Sequence, residues 1–233
     1  MRRLLLASPL ALLGASCGRL DAATRQGREI EGLWEVFLWA GIGVAGVVYG
    51  LIIWSTIRYR RRRGDDDLPP QFRENVALEI GYTVLPILLV AGLFLLTYRA
   101  ETAVEGLDPR PAATVRVEAF NWSWRFTYED TGVAVFGTAD DPPEAVLPAG
   151  LPVRIVLTST DVIHSFFVPD FLFKRDAIPG RTGSFDLTID RPGRYEGRCA
   201  EFCGLDHWRM RFTIRAVPQA EFEAWIATQA ETA

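Results

Sequence analysis

Cys199-Ala-Glu-Phe-Cys203-Gly-Leu-Asp-His207-Trp-Arg-Met210 places two thiols, an imidazole and a thioether within twelve residues. Thiolate and thioether are soft ligands that select copper over magnesium or calcium, and imidazole suits copper and zinc alike, so the run points to a thiophilic transition metal. His164 supplies a second imidazole from another segment, and with His207 it accounts for both histidines of the chain. The flanks of this run decide the framework. Short stretches rich in Val, Ile, Phe and Thr at Thr114–Tyr128, Val153–Ser159, His164–Val168, Gly183–Ile189, Gly193–Arg198 and Arg211–Val217 are punctuated by Pro, Gly and Asp and predict strands. Regular short strands without helical stretches predict an all-β Greek-key sandwich or barrel of about 100 residues. Glu221–Gln229 predicts a closing amphipathic helix with Phe222, Trp225 and Ile226 on one face.

Four uses of the cysteine run compete. A disulfide between Cys199 and Cys203 gives the histidines and Met210 no role. A structural zinc held by two Cys and two His needs no Met210, and the compact Cys-x3-Cys-x3-His-x2-Met spacing fits zinc fingers poorly. A membrane-tethered copper chaperone or thiol-redox protein also uses two thiols and a His, but extra ligands hinder release. The remaining use is two coppers sharing two bridging thiolates. Each copper would be capped by one His and weakly held by Met210 on one side and a backbone carbonyl on the other.

Upstream the character changes. Val36–Ile57 and Ile80–Tyr98 carry no charge and match the ~20 apolar residues that a bilayer core demands, predicting two transmembrane helices. Arg58, Arg60, Arg61, Arg62 and Arg63 lie between them, and this short basic loop is expected on the cytoplasmic side. Trp34, Trp39, Trp54, Tyr59, Tyr82 and Tyr98 stand near the span ends, where amphipathic rings favour the headgroup layer. At the N-terminus, Arg2 and Arg3, the apolar Leu4–Leu13 and the small residues Gly14-Ala15-Ser16 predict an export signal over residues 1–16. Cys17 directly after it is a candidate lipidation site. The expected organisation is therefore a signal at 1–16, a membrane hairpin at 17–100 with helices about 34–57 and 79–98 and a loop about 58–78, and an extracytoplasmic copper domain at 101–233.

The chain has 233 residues, of which 49% are hydrophobic, which excludes a disordered protein. Its net charge of −4 divides into +3 for residues 1–100 and −7 for residues 101–233. An acidic back half repels phosphate backbones, so nucleic-acid binding is not expected, whereas a basic protein partner is. Three cysteines are too few for a disulfide scaffold. Phe120, Trp122, Trp124, Phe126 and Tyr128 alternate with polar residues, while Val115, Val117 and Ala119 hold the opposite parity. That phase switch predicts a bulge or crossover near Ala119 and Phe120.

Four motifs together resemble subunit II of haem-copper terminal oxidases, specifically the cytochrome c oxidase family. They are Asp161-Val-Ile-His164-Ser-Phe-Phe-Val-Pro169, Lys174-Arg-Asp-Ala-Ile-Pro-Gly180-Arg181, Arg191-Pro-Gly-Arg-Tyr195 and the Cys199–Met210 loop. The resemblance runs from Trp34 to Ile226. It implies a two-helix hairpin in the bacterial inner membrane and a cupredoxin-like domain with a binuclear copper A centre outside. It implies that Cys199 and Cys203 bridge the coppers, that His164 and His207 are terminal ligands, and that Met210 and the Glu201 carbonyl are weak axial ligands. The Glu201 carboxylate would reach a magnesium ion at the contact with subunit I. Asn121-Trp122-Ser-Trp124 is similar to the family's aromatic segment, in which Trp122 would be the electron port. Asp161 and Asp130 would be docking acids for a cytochrome c donor, and Glu79, in Glu79-Ile-Gly-Tyr-Thr-Val-Leu-Pro86, would stand at a proton-channel mouth of subunit I. The implied function is acceptance of single electrons from cytochrome c and their transfer to the haems of subunit I, in a complex with subunits I and III that reduces oxygen and pumps protons. No Cys-x-x-Cys-His is present, unlike the subtype with a fused haem c domain.

Overall fold

The computed structural model describes residues 20–61, 71 and 73–232. The expected signal, Cys17, Arg62 and Arg63 lie outside these residues. Two helices come first, α1 (Arg25–Arg58) and α2 (Val76–Glu105), both long and apolar enough to cross a membrane. Thr24 caps α1, its hydroxyl accepting from the Gly27 N–H at 3.0 Å. Asn75 caps α2 by accepting from Leu78 N–H, and Glu79 reaches back to accept from Asn75 N–H. These caps satisfy backbone donors that the first helical turn leaves open. Their apolar side chains point outward, as expected of surfaces covered by lipid or partner helices. The helices extend past the expected spans to Arg25 and Glu105. Hydropathy detects the lipid-length stretch alone, whereas the helical ladder continues into charged turns.

Ten strands follow among the described residues: β1 (Ala113–Phe120), β2 (Ser123–Tyr128), β3 (Ala134–Phe136), β4 (Glu144–Pro148), β5 (Pro152–Ser159), β6 (His164–Val168), β7 (Phe173–Ala177), β8 (Gly183–Thr188), β9 (Gly193–Cys199) and β10 (Arg211–Val217). Helix α3 (Gln219–Thr232) closes the chain. The strands form two five-stranded sheets, ordered β3-β2-β1-β5-β8 and β4-β10-β9-β6-β7. β1 pairs with β5 and β10 with β4 in parallel, and the remaining pairings are antiparallel. This is a cupredoxin-like sandwich. Val115, Val117, Ile155, Leu157 and Leu187 from one sheet meet Phe166, Phe212 and Ile214 from the other, all essentially inaccessible. Trp124 lies between them, edge-on to Phe166 and Phe212, whose own rings stack at 4.8 Å. Gly197 in β9 makes room for this stack, since a Cβ there would run into the Phe212 ring.

The phase switch in the aromatic run has a simpler cause than a bulge. Phe120 pairs with Ser123, so residues 113–128 are two antiparallel strands joined by the two-residue turn Asn121–Trp122. The turn resets the inward parity from Val117 and Ala119 to Trp124, Phe126 and Tyr128. Tyr128 ties the sheets together: its hydroxyl donates to Val146 O and accepts from Val146 N–H, both at 2.8 Å. Phe222 and Trp225 of α3 pack on its ring.

Candidate metal centre

One end of the sandwich gathers residues from three places. His164 opens β6, Cys199 ends β9, and the loop 200–210 returns to β10. β6 and β9 are neighbours with Phe166 opposite Cys199, which brings the His164 end of β6 beside the thiol. Two backbone bonds fix the loop base: Cys199 N–H donates to Met210 O at 2.9 Å and Ala200 N–H to Ser165 O at 3.1 Å. Gly204 has φ of +116°, a conformation that side chains disfavour, and there the loop swings back to the short turn His207–Arg209.

Within this frame the sulfur of Cys199 is 3.8 Å from that of Cys203. His164 Nδ1 is 3.8 Å from the Cys199 sulfur, and His207 Nδ1 is 3.5 Å from the Cys203 sulfur. Met210 Sδ lies 3.8 Å from Cys203, and the Glu201 carbonyl 3.2 Å from Cys199. The two thiols, His164 and Met210 are buried. Ligand atoms of His164, Cys199 and Cys203 all lie within 4.8 Å of one another, a cluster able to hold a metal ion, and His207 stands outside that trio on the Cys203 side.

Electrostatics favour loss of one thiol proton and oppose loss of the other. Burial raises the Cys199 pKa, but the His164 imidazole and the backbone around Glu201 and Ser165 outweigh it and bring the thiol down to about 6. Burial and the neighbouring Cys199 push Cys203 up to about 12. One sulfur ionises readily, and the second requires a cation close by to do so. Burial opposes charge on His164, yet Cys199 and Asp161 raise its pKa. Asp161 is itself held low: burial is outweighed by His164 and by the Asn121 and Val162 N–H groups.

Asp161 is the group that residue types alone did not place. Its Oδ1 meets His164 Nε2 at 2.7 Å and its Oδ2 accepts from Asn121 N–H at 2.6 Å. Its first effect is therefore to orient His164 with Nδ1 toward the sulfurs. Trp122 is half-buried, and its indole N–H donates to Cys203 O at 3.1 Å, so its ring lies against the ligand loop at Gly204. Trp124 is buried, edge-on to His164. The Glu201 carboxylate accepts at 3.5 Å from Lys174 Nζ, which also binds Asp176. Arg209 pairs with Asp140 and Asp206 and so ties the turn bearing His207 to the loop at 140. Phe202, Leu205 and Trp208 of the ligand loop are 80%, 83% and 70% exposed. Asp130 is not brought to the site. It lies in the turn after β2, at the opposite end of that strand from Trp122, roughly 20 Å along it. Glu79 is remote as well, at the start of α2.

Comparison with known proteins agrees with this geometry. The family described as "Cytochrome C oxidase subunit II, periplasmic domain" matches residues 138–217, which include His164, Cys199, Cys203, His207 and Met210. The "Probable cytochrome c oxidase subunit 2" of Streptomyces avermitilis is 37% identical over 244 residues, covering 88% of this chain and 76% of the relative. The "Cytochrome c oxidase subunit 2" of Alkalihalophilus pseudofirmus is 36% identical over 188 residues, covering 78% of this chain and 53% of that protein. The crystal structure of the periplasmic domain of subunit II of cytochrome oxidase from Bradyrhizobium japonicum superposes with a TM-score of 0.50 at 32% identity, covering 54% of this chain and 99% of that domain. A two-helix membrane hairpin, a cupredoxin-like domain and a His/Cys cluster able to hold a metal thus coincide with similarity over most of the length, and the chain belongs to the cytochrome c oxidase subunit II family.

Proposed function

We propose that this chain is the electron-accepting subunit of a membrane-bound cytochrome c oxidase, with a binuclear copper A centre held by Cys199, Cys203, His164, His207, Met210 and the Glu201 carbonyl. The observation that carries the reading is the paired arrangement of donors: two sulfurs 3.8 Å apart, with the His164 imidazole 3.8 Å from Cys199 and the His207 imidazole 3.5 Å from Cys203. A single tetrahedral zinc would need all four donors mutually close, and His207 lies outside the group formed by the other three. The donors also suit copper chemically, being soft sulfur, imidazole and thioether in a buried pocket. A copper pair bound there would take up and release one electron at a time.

The chain's own residues then have definite tasks. The β-framework holds the ligands in one geometry, so little rearranges when charge changes. Asp161 fixes the tautomer of His164. Trp122 bonds to the Cys203 carbonyl, which supports an electron port between a docked donor and the ligand loop. The donor would be a cytochrome c, meeting the −7 domain around the apolar Phe202, Leu205 and Trp208. Subunits I and III would be the membrane partners, with haems and oxygen chemistry in subunit I. The Glu201 carboxylate, bound here to Lys174, would face a magnesium ion at that contact. Glu79 would stand at the cytoplasmic mouth of a proton channel, and residues 1–16 would be a removed signal ending before Cys17. Burial of both thiols argues against a copper-delivery or thiol-exchange role, which needs an accessible sulfur.

The test is rapid mixing of the copper-loaded oxidase complex with reduced cytochrome c. Reduction of the copper band before the haems, and its loss in Trp122→Phe with copper retained, supports the reading. Haem reduction that precedes the copper band contradicts it.

A further inference from the structure

We infer that Asp186 and Gln26 are positioning residues that lock the β-domain to the membrane hairpin at two points on one strand, β8, and so set where the metal centre stands relative to the membrane partner; this rests on the electron-transfer reading above.

The first point catches the chain as it leaves α2. Asp186 is buried within β8, and its carboxylate accepts from Arg154 Nε at 2.8 Å and from an Arg154 terminal nitrogen at 3.0 Å. The same carboxylate accepts from Asp108 N–H at 2.5 Å, while Arg154 donates to Asp108 O at 2.6 Å. Both backbone groups of a residue three positions after α2 are thereby held by one ion pair whose carboxylate is buried and whose guanidinium is partly exposed. Glu105, the last residue of α2, pairs with Arg175 of β7. The second point catches the chain as it enters α1. Gln26 is buried, and its side-chain oxygen accepts from Thr188 N–H, the last residue of β8, at 3.1 Å. Ala23 N–H donates to Asp170 O and Asp190 N–H to Ala23 O, at 2.8 and 2.9 Å. Gly27 lies so close to the carbonyl of Phe171 that an added Cβ would sit 2.5 Å from it, and Arg28 pairs with Asp190.

None of these hydrogen bonds involves a ligand candidate. A domain on one flexible tether would need neither a buried carboxylate nor a buried glutamine at its membrane end, because water would satisfy exposed linker groups. Holding both legs of the hairpin on a single strand removes the swivel between membrane and domain. A transfer step whose rate depends on separation and orientation gains from that fixity.

The experiment uses the full chain in its oxidase complex with Asp186→Asn and, independently, Gly27→Ala, which perturbs the α1 leg without touching the ion pair. Hydrogen exchange at the Asp108 and Thr188 amides reads the clamp directly and needs no metal, so it decides on the clamp even if the electron-transfer reading fails. The expected result is exchange faster by about 10-fold or more at Asp108 in Asp186→Asn and at Thr188 in Gly27→Ala. Electron passage from the copper centre to the subunit I haem is expected to slow by roughly 10- to 100-fold, the order at which a ~1 Å misplacement costs rate, with the copper spectrum and potential unchanged. Unchanged exchange in both variants, or faster exchange with wild-type electron passage, overturns the inference.

Discussion

Replacing Asp161 separates its orienting role from a docking role. The carboxylate receives four donors: His164 Nε2, Asn121 N–H, Val162 N–H and, at 3.4 Å, the Ser159 hydroxyl. In Asp161→Ala the two exposed backbone donors find water, but His164 is inaccessible and its ring nitrogen is left without a partner. Such an orphaned donor costs about 1–3 kcal/mol. The imidazole is also freed to turn away from Cys199. Loss of an outer carboxylate of this kind lowers metal affinity about 10- to 100-fold, or ~1.4–2.7 kcal/mol. Asp161→Asn, which keeps one acceptor oxygen, should fall between wild type and alanine. The assay is competition for copper between the purified domain and a chelator of known affinity, with reduction by cytochrome c measured in parallel. Copper affinity within about threefold of wild type in both variants, with donor affinity alone reduced, would refute the orienting role and leave Asp161 a docking acid.

Cys199→Ser should abolish the paired centre, because an alcohol oxygen bridges soft metal poorly, whereas Met210→Leu should retain copper and shift its potential; metal analysis and redox titration check both. Tyr128→Phe leaves Val146 N–H and C=O without partners inside the core, an expected loss of about 2–4 kcal/mol in urea unfolding of the domain. Burial, the largest influence, raises the Tyr128 pKa in the folded state, so that stabilisation is complete below pH ~10 and is lost as pH rises beyond it. The alkaline loss should be smaller in Tyr128→Phe, and equal alkaline curves would contradict it. Docking should weaken moderately with salt, since the −7 domain offers charge while the ligand loop offers Phe202, Leu205 and Trp208. Stopped-flow rates at two ionic strengths measure this, and a salt-independent rate would remove the electrostatic part.

The ligand residues were legible because their chemistry is rare and local: two thiols, an imidazole and a thioether share one short run. His164 was legible by elimination and motif. Strands with alternating Val and Ile, such as β1 and β5, announced themselves. β7 did not, because Phe-Lys-Arg-Asp-Ala is an edge strand whose polar residues make ion pairs. The Asn121–Trp122 hairpin is visible in the sequence only as a phase switch that fits a bulge or a crossover, because parity alone cannot distinguish an inserted residue from a reversal. The roles of Asp161 and Asp186 depend on which N–H groups the fold delivers to each carboxylate, and composition carries no record of that. Charge likewise counts acids without saying which are already engaged.

The most direct measurement of the central claim is copper content together with the electron paramagnetic resonance spectrum of the copper-loaded domain from residue 101 onward. Two coppers per chain sharing one unpaired electron is the predicted result. One copper with a localised electron, or a single zinc in its place, would contradict the paired centre built from Cys199, Cys203, His164 and His207.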